Sequence, residues 1–262
     1  FGLSFKPFSV AQFASSVVSY NSGVGFQAGY TIASSALGEP SRVTAGLYGG
    51  PVDPFNAPYL SSQVVSIGTG GSLILQFDSP ILNNPANAFG RDFNIFGNAG
   101  FVITNEYSLE TFDWVGTPAT DGTLYGADAA STRVSVSSDG VNFYTLNPAL
   151  APLVDSLFPT DGIGDFGITL NPSLTASSFA GKTLATIRAL YSGSAGGASY
   201  DISWAQDELG QSVTLASIEF VRVEVLSGNA EIDGLVAVPE PTAISLALLG
   251  AGALIVARRK RS

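Results

Sequence analysis

The chain contains no cysteine, no histidine and no methionine. Without cysteine there is no disulfide framework, and thiols say nothing about the redox compartment. Without thiolate or imidazole ligands most zinc and copper sites are excluded. Ser-His-Asp and Cys-His catalysis are excluded with them. Any remaining chemistry would use carboxylates, Tyr, Lys or Ser. Charge is also scarce, at 12% of residues, and uneven: 11 basic residues face 21 acidic ones, a net −10. Four of the eleven basic residues, Arg258, Arg259, Lys260 and Arg261, sit in the last five positions. Residues 1–239 hold 7 basic and 20 acidic residues, a net −13. Such a surface repels a phosphate backbone, so no nucleic-acid partner is expected.

What is present suits an exported β protein. The 262 residues suffice for one large β domain or two small ones. Aromatic and β-branched residues recur throughout, unlike a disordered composition. The chain opens on Phe1, read as a mature start after removal of a signal peptide.

Several segments alternate with the period of a strand. In Gly71–Asp78, Leu73, Leu75 and Phe77 share one face, opposite Gln76 and Asp78. Phe93 and Ile95 align in 92–96, and Thr132, Val134 and Val136 align in 131–137. Asp139-Gly140 then reads as a tight turn, with 141–146 as its return strand. Residues 184–191 (LATIRALY), the run Val221, Val223 and Val225, and 232–238 are further strand candidates. A short helix is read at 9–20 and a helical turn within 147–156. Many short strands with Gly- and Pro-rich connections indicate an all-β fold, a β-sandwich or jelly roll. No repeat of fixed period argues for a propeller or solenoid.

The C-terminal tail differs in kind. Thr242–Ala257 (TAISLALLGAGALIVA) carries no charge. Sixteen residues span roughly 24 Å as a helix, against a hydrocarbon core of about 30 Å. Snorkelling by the flanking basic residues offsets the shortfall. The terminal Arg258–Arg261 cluster reads as a stop-transfer signal held on the cytoplasmic side. A single transmembrane helix, with the bulk of the chain outside the inner membrane, is expected. Just before it, Val238-Pro239-Glu240-Pro241 reads as an extended, exposed segment.

Pro239-Glu240-Pro241, the apolar span and the terminal Arg-Arg-Lys-Arg together resemble the PEP-CTERM sorting signal. The resemblance covers about 25 of the 262 residues. It implies export in a Gram-negative-type bacterium and recognition of Pro239, Glu240 and Pro241 by an exosortase. It also implies association with exopolysaccharide and biofilm material. In that setting the motif is a substrate, not a catalyst.

A second, looser resemblance spans roughly residues 36–238. It rests on Ala36-Leu37-Gly38-Glu39-Pro40, residues 65–72 (VSIGTGGS), 92–96 (DFNIF), 134–140 (VSVSSDG), 196–202 (GGASYDI) and 231–234 (EIDG). In this order they look like a discoidin-like or galactose-binding-like jelly roll. That implies carbohydrate or cell-surface binding, often with a structural calcium. The pattern departs from the module at Ala198, and Asn98 stands where an acid is common. The implied organisation is an N-terminal segment (1–35) packed on the sandwich, the sandwich (36–238), and the sorting tail (239–262).

Within that frame, Asp92, Asp201 and Asp233 are candidate calcium ligands, since calcium takes oxygen donors. Asp161 and Asp165 sit in a loop (TDGIGDFG) that could wrap an ion. The alternative is turn capping beside glycine. Trp114, with Tyr107 nearby, is the candidate for stacking on a sugar ring; Trp204 is expected in the core. A non-enzymatic surface or matrix protein that binds polysaccharide is the leading expectation. A self-assembling or membrane-complex subunit is second. A carbohydrate-active hydrolase, which needs two carboxylates flanking a cleft, is third.

Overall fold

The computed structural model describes residues 12–47, 49–154 and 158–240. Pro241, the 242–257 span and Arg258–Arg261 lie outside the described residues. Among the described residues no helix is long and apolar enough to cross a membrane.

Ten strands form the main sheet system. In chain order they are β1 (Gln12–Phe13), β2 (Ser16–Asn21), β3 (Val65–Gly68), β4 (Ser72–Leu82), β5 (Phe93–Gly97), β6 (Ala129–Ser137), β7 (Tyr144–Leu146), β8 (Ala198–Tyr200), β9 (Ala205–Gln206) and β10 (Ser217–Ala237). β10 is 21 residues long and belongs to two sheets. Its first half lies between β4 and β6, in the order β2-β4-β10-β6-β7-β9. Its second half pairs with β5, which pairs with β8, and takes β3 and β1 along its other edge. All these pairings are antiparallel, and the fold is all-β and sandwich-like.

The alternating segments behave as expected. Leu73, Leu75 and Phe77 of β4 are buried while Asp78 is exposed. Val134 and Val136 of β6 and Val221, Val223 and Val225 of β10 join the same core. The turn after β6 is tied by Asp139, whose carboxylate accepts the amides of Val141 and Asn142 at 2.9 and 2.8 Å. Gly140 there has φ +74°. The return strand is shorter than the sequence suggested, because Val141 stays exposed and pairing starts at Tyr144. Residues 147–151 make one helical turn, with the Ala151 amide donating to the Asn147 carbonyl.

Two expectations are corrected. The described part of 9–20 forms strands, not a helix: β1 and β2 pair with β10 and β4. β-branched Val17 and Val18 favour this extended form. The opposite error falls on Leu184–Tyr191, read as a strand. It is α1, an α-helix. Thr186 accepts the Thr183 amide at 2.8 Å, which supplies the N-terminal half of a capping box. Ile187 and Tyr191, four residues apart, both bury, so the face follows the helical period. They pack on a satellite cluster with Phe101, Leu170 and Phe179.

Candidate functional site

Among the described residues, two places are developed as candidate sites. The first is a cleft of about 760 Å³ lined by Asp53, Phe55, Trp114, Pro118, Thr183 and Arg188, among others. Three local structures build it. The 53–56 turn forms because the Asp53 carboxylate accepts the amides of Phe55 (2.8 Å) and Asn56 (3.1 Å). A hairpin pairs Tyr107–Ser108 with Asp113–Trp114. Asn105 folds the chain back after it, donating to the carbonyls of Val115 and Thr117 and accepting the Ala119 amide. Ala119–Thr120 then pairs with Lys182–Thr183, which brings the hairpin root against the start of α1.

Trp114 and Tyr107 are brought together. They are directly opposite on the hairpin ladder, with ring centroids 5.1 Å apart and planes at 76°. This edge-to-face contact fixes the indole at the cleft margin. The hairpin tip is apolar and open: Leu109 is 78% and Phe112 77% exposed. Phe112 also adopts φ 54°, a region unfavourable for a bulky residue.

Electrostatics in the cleft are largely internally balanced. Arg188 donates to both oxygens of Asp161, at 2.8 and 3.0 Å. That bidentate pair raises the guanidinium pKa further. Burial pushes the Asp53 carboxyl up, against the amide of Phe55 and the charge of Arg188, which pull it down. Among the described residues Asp53 is the one carboxylate in the lining.

The three candidate calcium ligands do not fit a shared ion. Asp92 is fully buried, and its oxygens accept the Asn84 amide, the Asn87 side-chain amide and the Ile202 amide at 2.9–3.1 Å. Asp201 caps the 202–204 turn through the Ser203 amide and lies 3.9 Å from Arg91. Asp233 holds the Ser41 amide and hydroxyl at 2.7 and 2.8 Å. N–H and O–H donors thus occupy these carboxylates, and Arg91 beside Asp201 opposes a cation. Among the described residues no group of three or more acids could hold a metal. Asp161 is spent on Arg188, and Asp165 accepts the Gly167 amide at 2.9 Å. Burial raises Asp92 to about 6 and Asp233 to about 7, despite the donors around each.

Other aromatic residues divide between core and surface. Tyr200 is buried and stacks on Phe93 at 5.2 Å. Trp204 is only half-buried, with Arg91 lying 4.1 Å over its ring.

The second place is the end of β10. The Val238 amide donates to the Asp92 carbonyl at 2.8 Å. Pro239 packs on Gly167, and the Glu240 carboxylate accepts a hydrogen bond from the Asn84 side-chain amide. Pro239 and Glu240 are therefore half-buried against the body, whereas the sequence reads as an extended, exposed segment there.

Residues 237–261 match the PEP-CTERM protein-sorting motif. The motif marks an exported protein sorted by an exosortase. No curated protein matches the chain. The sorting motif thus begins at the final residue of β10, Ala237.

Sequence reasoning singled out Trp114 and Tyr107 but missed Asp53, Asn56, Thr183 and the inward role of Arg188. Asp53 could have been suspected from Asp-Pro-Phe-Asn, an Asx-turn sequence. Arg188 was hidden by the strand reading of 184–191.

Proposed function

We propose that the chain is an exported, non-enzymatic surface or matrix protein that binds polysaccharide in the cleft beside Trp114. The observation that carries this is the indole fixed at the margin of a largely apolar cleft that also offers Asp53, Asn56 and Thr183. Sugar recognition combines these parts: a pyranose face covers the aromatic ring, and a few polar groups orient the hydroxyls. Asp53 is the one lining carboxylate among the described residues, which favours binding over glycoside hydrolysis, a reaction that uses two. The body is proposed to belong with discoidin-like or galactose-binding-like modules, on the ordered segments of 36–238 and the sandwich-like pairing. Its location is proposed as periplasmic while the 242–257 span anchors it, and as the cell surface after processing.

The test is binding of the purified chain to neutral, amino-sugar and uronate polysaccharides, with Trp114→Ala beside it. Loss of one stacked ring is expected to weaken binding roughly 10-fold with an unchanged thermal midpoint. If no polysaccharide binds, or if Trp114→Ala binds as well as the parent, the cleft is not a glycan site.

A second reading is self-assembly, favoured by the open Leu109 and Phe112 at the hairpin tip. It predicts a multimer by light scattering that Leu109→Ser with Phe112→Ser dissolves.

A further inference from the structure

The junction between body and tail is a built contact, not a free linker. Asn84 is oriented by its own loop. Its backbone amide donates to Asp92 at 3.0 Å, and its side-chain oxygen accepts the Ala86 amide at 3.0 Å. That leaves the side-chain NH2 facing Glu240, to which it donates. The loop is anchored one residue earlier, where Asn83 bonds Ala216 and Leu215 through its backbone and side-chain nitrogens, both at 2.9 Å. Gly167 offers a flat seat for Pro239. A Cβ placed there would come within 2.7 Å of the proline Cδ and 2.9 Å of its Cγ. The same Asp92 whose carboxylate holds the Asn84 loop also holds Val238 through its carbonyl.

We propose that the folded body carries a binding site for its own sorting motif, with Asn84 and Gly167 as its two contacts. The docked Pro239–Glu240 segment is then not the form that the processing enzyme takes. Peptide recognition by an enzyme uses the side chains and open edges of an extended segment. Here one face of Pro239 lies on Gly167, and the Glu240 carboxylate is taken by Asn84. The segment must swing out before it is gripped, and apparent affinity falls by the fraction of chains in which it is free. One hydrogen bond to a charged group plus one small apolar contact holds it, so the docked form is favoured only modestly. Undocking leaves the β10 ladder intact, since its pairing ends at Ala237.

The inference rests on sorting by an exosortase. Its test is pulse–chase of the full chain in an exosortase-containing bacterium, reading the half-time of the size shift. Asn84→Asp keeps an acceptor for the Ala86 amide but sets a negative charge against Glu240. Gly167→Ala displaces Pro239, and the glycine does not occupy the left-handed region, so alanine fits its backbone. Each variant is expected to shorten the half-time roughly 3–10-fold while the purified full chain keeps its thermal midpoint. Unchanged or longer half-times in both variants, with the parent still processed, overturn the docking proposal; longer ones mean that the enzyme reads body and motif together. A parent chain that is never shortened, and is unaffected by Glu240→Ala, overturns the sorting reading instead.

Discussion

The two halves of β10 are one strand in two environments. From Ser217 to Gly228 buried and accessible residues largely alternate: Val221, Val223 and Val225 point to the core, while Arg222 and Glu224 form ion pairs at the sheet surface. From Ala230 to Ala237 every residue is buried. There the second face is covered too, by Phe96, Phe166 and Ala195 against Val236. The first half follows the rule for a sheet with one wet face. The second half is a core strand, yet it carries Glu231 and Asp233. These acids are tolerated because partners meet them: Ser66 donates to Glu231, and Ser41 to Asp233. The register shift between Ile232 and Gly234 makes Asp233 an extra residue, and such a bulge re-aims a side chain. A strand's burial is thus set by what covers it, not by its own pattern.

Shortening one leucine in each half of β10 should separate the two environments most strongly. Leu235→Ala is expected to cost about 2–5 kcal/mol, as for a fully buried leucine. Leu226→Ala, at a position 47% exposed, is expected to cost about 0.5 kcal/mol or less. Denaturant unfolding of both variants checks the difference, and equal losses would mean that the second face is not covered.

The next effect is a pH dependence confined to the buried carboxyls. Unfolded, Asp92 and Asp233 titrate near 3.8; folded, they titrate at about 6 and about 7. Over roughly pH 4–7 the folded state therefore binds protons that the unfolded state does not. Their contribution is fully present below the unfolded value and is lost as pH rises through the folded ones. Stability should rise by about 4 kcal/mol between pH 8 and pH 5, read as a rising thermal midpoint. Asp233→Asn should flatten most of that slope. A midpoint that falls over this range would show both carboxylates to be stabilised in the ionised form.

The smallest effect belongs to the wet half. Arg133 pairs with Glu224 at 2.9 Å, but its side chain is 41% exposed. Arg133→Ala is expected to cost under about 1 kcal/mol, and less at high salt.

Much of the sheet was legible because alternation is local: β4 and β6 could be found from their own residues. Leu184–Tyr191 was not legible as a helix. Its eight residues alternate well enough for a strand, and only the burial of Ile187 with Tyr191 decides between the periods. β1 and β2 failed in the opposite direction, because their partners lie at Val236 and Leu75, far along the chain. In the candidate cleft, Trp114 and Tyr107 could be suspected as aromatic residues in a polar context. Asp53 could be suspected only as a turn residue; its place beside Arg188 could not, since 135 positions of sequence separate them and only tertiary folding brings them to one lining.

The all-β class, the acidic composition and the sorting motif are written in the amino-acid order alone. Composition and contiguous pattern suffice for each. Tertiary structure alone decided that Pro239 and Glu240 rest on the body, that Asp161 neutralises Arg188, and that Asp233 is satisfied by Ser41, 192 residues away. Each of these is a contact between distant segments. Its existence depends on which strands pair and in what register, and no local pattern carries that information.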